Sequence, residues 1–469
     1  MPRNNLEKTN MDSARKTKKK VPSKGKSHTS KLAKTKKERR ISENTRDRVT
    51  KHKGVLIDWR HYHTLSTIYD FLHYLEMEYP AICTVRDIGR SLGGLAIKML
   101  KISNTDETNR PVWLDGTIHS REWISTSVVT FIAHLIAKNF ERLPSYITNK
   151  DWYIVPVLNP DGYCYTQYVR LWRKNRAICN REVVGVDLNR NFSYEWGTNE
   201  DEGSSSLNPQ HSRYRGPMPF SEPESAAVRN FIMKLGKQFE IFLTFHSPEQ
   251  AITIPWCYTS EPCPDYVKLM QGGAVMAKAI YQTTGRIYKV GTFRDTIYCG
   301  AGTSLDWSYG SAKIPFSYLI ELRKGGKRFI LPETQIFDTC KETMVAVESL
   351  MKFVDESQNK ELKLYQPCFS KHDNDNCNYS LTRLLTSDDA LVLIRKNPRM
   401  CKYNTQHVDK TSKRYRYTKP ILYSKSLSTK RKIPFDTKDK YSVHAFSGCE
   451  DENLSVIDVL LREYNNMYS

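Results

Sequence analysis

Between residues 54 and 358 the hydrophobic positions follow two alternating rhythms. Apolar residues spaced three and four apart predict helices over 65–77, 123–139, 223–237, 266–284 and 333–354, the third opened by Ser221-Glu222. Short apolar runs at 96–102, 112–115, 152–157, 241–245 and 316–322 predict strands. The run Ile241-Phe242-Leu243-Thr244-Phe245 reads as a strand buried on both faces within a parallel sheet. Helices alternating with such strands predict an α/β fold, a twisted sheet of mixed parallel and antiparallel strands with helices on both faces. A segment of about 300 residues is ample for a single core.

Charge divides the chain differently at its ends. Residues 1–53 hold 19 Lys or Arg against 5 Asp or Glu, residues 54–359 hold 33 of each, and residues 360–469 hold 20 against 13. The net +21 therefore belongs entirely to the flanks. Residues 1–53 have almost no apolar positions and cannot bury enough surface to offset chain entropy, so a disordered basic tail is expected. Residues 359–469 are expected to form a basic, mostly irregular extension, relieved by the apolar run 390–394 and an amphipathic stretch at 454–464. Both ends could make nonspecific, salt-sensitive contacts with polyanions. No aromatic residues interleave with the N-terminal lysines, so base stacking is not indicated there. No run reaches the 18 or so apolar residues of a membrane span, and none near the start has the apolar core of a signal peptide.

The central segment carries candidate chemistry. His119 and Glu122 lie three apart, after the apolar run Val112-Trp113-Leu114 and a turn at Gly116, and they open the helix over 123–139. His246 ends the buried strand at 241–245, and Glu321 lies in the strand Tyr318-Leu319-Ile320-Glu321-Leu322-Arg323. Zinc takes nitrogen and oxygen ligands tetrahedrally, and a catalytic site leaves one position open for water. One turn can bring His119 and Glu122 to a common ion, with His246 supplied by a distant strand. All would then sit at the carboxyl ends of strands, where open α/β sheets place their sites. By itself a His and Glu three apart is a weak signal. Each residue also has a bland reading: Glu321 as an acid paired with Arg323, Asp187 and Arg190 as a structural ion pair, and Tyr298 as a surface tyrosine.

Further motifs occur in order between these residues: Trp172-Arg173-Lys174-Asn175-Arg176, then Val186-Asp187-Leu188-Asn189-Arg190-Asn191-Phe192, then Thr296-Ile297-Tyr298 and Ser304-Leu305-Asp306-Trp307. With them the chain, from about residue 55 to 357, closely resembles the funnelin zinc carboxypeptidases of the pancreatic A/B type. The resemblance implies an α/β/α sandwich and one zinc ion per chain, held by His119, Glu122 and His246. It makes Glu321 the general base, Arg173 the group that steadies the oxyanion, and Asp187 the carboxylate that fixes the tautomer of His119. Asn189, Arg190 and Tyr298 match the group that grips the substrate's terminal carboxylate, while Arg121 and Arg170 match arginines farther along the cleft. Substrates would be peptide or protein C-termini, and a monomer is expected.

At the base of the pocket for the final side chain, the family has an acidic residue in enzymes that remove Lys or Arg and an apolar one in those that remove hydrophobic residues. Leu305 occupies that position, with Gly300, Phe293, Ile297 and Thr244 on other lining positions. A buried cation without a counter-charge costs several kcal/mol, so aromatic and aliphatic C-terminal residues are expected. Pro248 stands where the family usually has Tyr; the resemblance implies a cis bond before it, which proline makes much less unfavourable. The family's disulfide between the region before Asp187 and the loop after Asn191 has no matching cysteines here, and Cys257 and Cys263 could form a short local bridge instead. Family resemblance points to the extracellular space, while the missing leader and missing bridge leave a cytoplasmic or nuclear location open. Two other readings remain: a pseudoenzyme that binds peptide C-termini, and a polyanion-binding protein acting through its basic ends.

Overall fold

In the computed structural model, which describes residues 57–179, 181–325 and 328–359, the predicted strands gather into one eight-stranded sheet. The N-terminal tail and the C-terminal extension lie outside the described residues. In chain order the strands are β1 (Cys83–Arg90), β2 (Ala96–Ile102), β3 (Arg110–Gly116), β4 (Lys150–Val155), the two-residue pair β5 (Ile178–Cys179) and β6 (Glu182–Val183), β7 (Ile241–His246), β8 (Ala251–Ile254), β9 (Lys289–Thr292) and β10 (Phe316–Glu321). The large sheet runs β1-β2-β4-β3-β7-β10-β8-β9, while β5 and β6 pair separately. Its middle four strands are mutually parallel, whereas β1-β2, β2-β4 and β10-β8 pair antiparallel. The mixed sheet expected from the hydrophobic pattern is thus the one observed.

Side-chain alternation along the central strands builds two cores. On one face Val112 and Leu114 of β3, Trp152 and Ile154 of β4, and Ile241, Leu243 and Phe245 of β7 are buried together. The intervening Trp113, Tyr153, Val155 and Phe242 are buried on the other, as the period of two in a strand requires. The first face is covered by α1 (Leu65–Glu78) and α2 (Trp123–Asn139), and by α6 (Tyr266–Thr284) and α9 (Ile336–Asn359), which pack on each other. Helix α2 is buried nearly all round, which suits a helix lying between the sheet and a second helix. The second face takes α5 (Pro223–Lys234), through Ala227, Val228 and Ile232, and Trp307 of α8 (Ser304–Gly310). Short helices α3 (Ser145–Thr148), α4 (Pro160–Tyr165) and α7 (Phe293–Thr296) complete the connections. Complete burial of a side chain such as Phe242 or Leu243 contributes about 1.5–3 kcal/mol.

Besides the two-residue β5 and β6, three strands of the large sheet are absent from the sequence-based expectation. β1 is an edge strand, half-exposed and carrying Arg86, Asp87 and Arg90, while β8 and β9 are only four residues each. Helix ends also differ: α1 runs on to Glu78, α5 stops at Lys234, and Glu333–Gln335 form a 3-10 turn before α9, which begins at Ile336 and continues to Asn359. The Ser247–Pro248 bond is cis, as is Pro255–Trp256. Cys257 and Cys263 are separate, buried thiols, and every cysteine among the described residues is free.

Candidate active site

Because β3, β7 and β10 run parallel, their carboxyl ends open on the same edge of the sheet. The register sets His246, the last residue of β7, directly opposite Glu321, the last residue of β10. Phe245 is opposite Gly116, where β3 ends. A side chain at Gly116 would collide with α2, since its Cβ would lie 2.9 Å from the carbonyl oxygen of Ser125. Thr117 follows with φ of 54°, a conformation rare for a β-branched residue. Its N–H donates to Ser125 Oγ at 2.9 Å, and its hydroxyl also meets those of Ser125 and Thr126. Such backbone costs about 1–3 kcal/mol and persists only where its surroundings impose it. The turn leads to His119, and Glu122 becomes the N-cap of α2, with no capping bond from its side chain.

That side chain is turned instead to the two histidines. His119 Nδ1 lies 3.0 Å from Glu122 Oε1, His246 Nδ1 lies 3.1 Å from Glu122 Oε2, and the two Nδ1 atoms are 3.1 Å apart. All three residues are buried, and their ligand atoms fall within 4.8 Å of one another. Two ring nitrogens facing each other beside a carboxylate leave lone pairs without enough protons to share, and a cation resolves that arrangement. Two nitrogens and one oxygen are also a donor set that zinc accepts in catalytic sites. The residues present therefore fit a zinc ion.

Charged groups crowd this end of the cleft. His119 Nε2 lies 3.1 Å from Asp187 Oδ1, and Arg173 donates through Nε to Asp187 Oδ2 at 3.0 Å. Arg173 Nη1 comes within 3.9 Å of Glu122 Oε1. Burial alone would raise the pKa of Asp187, yet the Arg173 guanidinium and the His119 contact hold it well below the usual carboxylate range. Glu321 is shifted the other way, because burial and the neighbouring Glu122 charge both disfavour its ionised form. Its Oε2 is buried without a hydrogen-bond partner. Arg323, the alternative partner in the sequence, pairs with Glu342 of α9 at 2.9 Å through Nε and at 2.5 Å through Nη2.

The other expected positions form two groups. Arg190 is fully buried and donates to the carbonyl oxygens of Ser204 and Asn189, both at 2.6 Å, and to the Tyr298 hydroxyl at 3.4 Å. Its partners are thus not Asp187. Asn189 Oδ1 accepts from the N–H and hydroxyl of Ser304, which leaves its NH2 as the donating end. Leu305 and Phe293 pack with Cys257 and Leu319 in one apolar cluster, with Ile297 and Tyr298 against it. A Cβ at Gly300 would lie 3.5 Å from Arg190, Phe293 and Thr303, so its absence leaves room beside the guanidinium. Thr244 is placed differently: its hydroxyl donates to Asp115 at 2.7 Å and lies 3.4 Å from His246 Nε2. Arg121 stacks on Phe329 and Arg170 on Trp123, and Arg170 donates to the Arg121 carbonyl oxygen at 2.8 Å.

Several residues of this region escaped sequence reasoning. Leu319 could have been found, since it is two residues before Glu321 and so on the same strand face. Cys257 joins this apolar cluster from the loop after β8, and Arg213 lies 4.3 Å above the Tyr298 ring. No local pattern marks either one.

Known proteins fit this geometry. The family model for zinc carboxypeptidase, peptidase M14, matches residues 68–346. Carboxypeptidase B of Astacus astacus is 37% identical over 302 residues, covering 64% of this chain and 98% of that protein. Carboxypeptidase A1 of Rattus norvegicus is 38% identical over 297 residues, covering 62% of this chain and 69% of its own. Among solved structures, bovine thrombin-activatable fibrinolysis inhibitor in complex with tick carboxypeptidase inhibitor superposes with a TM-score of 0.59 at 32% identity, covering 64% of this chain and 99% of that one. The carboxypeptidase A of Helicoverpa armigera gives 0.61 at 27% identity, covering 69% and 82% respectively. A match that spans more than half of the chain, and that encloses the three grouped metal-binding side chains, makes this protein a member of the zinc carboxypeptidase family and a metallocarboxypeptidase.

Proposed function

We propose that this enzyme removes C-terminal residues with hydrophobic or aromatic side chains, with Glu321 as general base. The observation that carries the mechanism is the buried, unpartnered Oε2 of Glu321 at the strand end beside His246. A zinc ion held by His119, Glu122 and His246 would supply Lewis acidity and a nucleophile of lowered pKa. Glu321 accepts a proton from the attacking water and returns it to the leaving amine. His119 keeps its Nε2 proton on Asp187, so Nδ1 is the free ligand atom. Arg173, anchored on Asp187, presents a fixed cation where negative charge develops on the scissile carbonyl oxygen.

Recognition of a free C-terminus rests on Arg190 with the NH2 of Asn189 and the Tyr298 hydroxyl. A guanidinium already oriented by Ser204 and Asn189 meets a carboxylate with little further ordering. Arg121 and Arg170 line the outer cleft. The hydrophobic preference is supported by the cluster around Leu305 and by the fate of the neighbouring acid. Asp306 accepts from the Cys257 N–H through both oxygens, at 2.8 and 3.0 Å, and from the Tyr258 N–H at 3.3 Å. Its oxygens are thus taken up by backbone N–H groups and it is fully buried, which keeps it from a substrate cation. Measured kcat/KM for matched peptides ending in Phe, Leu, Lys and Arg tests the reading. A preference for Lys or Arg would overturn it.

A further inference from the structure

The two imidazoles of the metal centre are supported unequally. His119 is backed directly by a carboxylate, since its Nε2 lies 3.1 Å from Asp187. His246 also turns Nδ1 to the centre, so with a metal held there its ring proton would reside on Nε2. Among the described residues no carboxylate meets that nitrogen directly. It faces Thr244 Oγ1 at 3.4 Å. A hydroxyl has one hydrogen to give, and Thr244 gives it to Asp115 Oδ1 at 2.7 Å, which turns an oxygen lone pair toward His246. The second oxygen of Asp115 accepts from Trp113 Nε1 at 2.7 Å, so the carboxylate is held at both ends.

We propose that Thr244 and Asp115 are positioning residues for the metal site, holding the ring and tautomer of His246 through one intervening hydroxyl. The inference rests on the reading that His246 is a metal ligand. Sheet register builds the relay: Asp115 of β3 pairs with Thr244 of β7, and His246 lies two residues farther along the same face. Thr244, Asp115 and His246 are all essentially inaccessible to solvent, so no water competes for these bonds. This assignment takes the Thr244 hydroxyl away from the apolar pocket, where the family resemblance had put the residue.

The test compares zinc dissociation constants, obtained by competition with a chromophoric chelator, for the full chain and for Thr244→Val, Thr244→Ser and Asp115→Asn. Partners of a ligating histidine typically change metal affinity 10 to 100-fold. Thr244→Val and Asp115→Asn are expected to weaken zinc by about that factor, while Thr244→Ser, which keeps the hydroxyl, stays within about threefold of the parent. The Phe-to-Leu ratio of kcat/KM should be unchanged in all three. Zinc held as tightly by Thr244→Val as by the parent overturns the proposal, as does a shifted Phe-to-Leu ratio with intact zinc binding, which would return Thr244 to the pocket. Should Asp115→Asn fail to fold, Thr244→Val, which preserves the side-chain shape, still decides. A parent protein that binds no zinc at all would instead break the underlying reading of His246.

Discussion

The metal-binding group and the apolar cluster around Leu305 are held by different forces. At the metal end, His119, Glu122, Asp187, Arg173 and His246 are buried polar groups whose atoms are committed to one another at about hydrogen-bond distance. Sheet register fixes His246 at the end of β7, while His119 and Glu122 follow the end of β3, and Arg173 and Asp187 reach them from loops. At the other end, Leu305, Phe293, Leu319 and Cys257 meet through nondirectional apolar packing, largely on short helices and loops. Charged hydrogen bonds fail over fractions of an ångström, whereas an apolar lining loses only about 1–3 kcal/mol per methylene. The chemistry should therefore be brittle and the specificity adjustable.

The largest effect should come from Glu321→Gln. General acid–base groups contribute about 10²–10⁴-fold, so kcat should fall by that order while zinc content, read by metal analysis, stays at one per chain. A variant with parental activity would remove Glu321 from the mechanism. Arg173→Ala should lower kcat by about 10²–10³-fold, the usual cost of losing one oxyanion donor. If its KM rises instead with kcat intact, Arg173 binds substrate without serving the transition state.

Leu305→Asp addresses the adjustable end. An acid there would pair with an incoming Lys or Arg and lie poorly hydrated against a Phe ring, a penalty of several kcal/mol. The Lys-to-Phe ratio of kcat/KM should rise on the order of 100-fold. Zinc affinity should not move, and a loss of metal would show that the two ends are not separable.

The smallest effect on activity, and a control for the cost of burying an unpaired acid, is Glu224→Gln. Glu224 is fully buried, its Oε1 has no partner, and its Oε2 accepts from Asn175 Nδ2 at 3.2 Å. Burial pushes its pKa from 4.5 up to about 7, with Glu222 adding to the shift. The folded state thus binds this proton more tightly than the unfolded chain, and the parent loses stability between about pH 4.5 and 7 from this group. Glu224→Gln should match the parent near pH 4.5 and exceed it above pH 7 by up to about 3 kcal/mol in denaturant unfolding, with kcat unchanged. Equal stability at both pH values would mean that Glu224 finds compensation beyond Asn175.

The central strands were legible because burial on both faces leaves them uniformly apolar, as in the 241–245 run. β1 was not, since a half-exposed edge strand with Arg86, Asp87 and Arg90 has no such run. The spacing of His119 and Glu122 and the order of the later motifs pointed to the site, because local geometry ties three-residue spacing to one turn. The competing partners of Glu321 could not be separated in the same way. Arg323 is nearby in sequence, but Glu342 reaches it from a helix packed on the other face of the sheet.

Residue types, their periodicity and their order along the chain determined the fold class and the metal-binding set, because each depends on local spacing or on the chemistry of a single side chain. Tertiary structure alone decided that Arg190 is oriented by the Ser204 carbonyl oxygen, that Asp306 is spent on backbone N–H groups, and that the Thr244 hydroxyl faces Asp115 and His246. Such pairings are set by strand register and by which loops meet over the sheet, and hydrogen-bond direction has no counterpart in linear sequence.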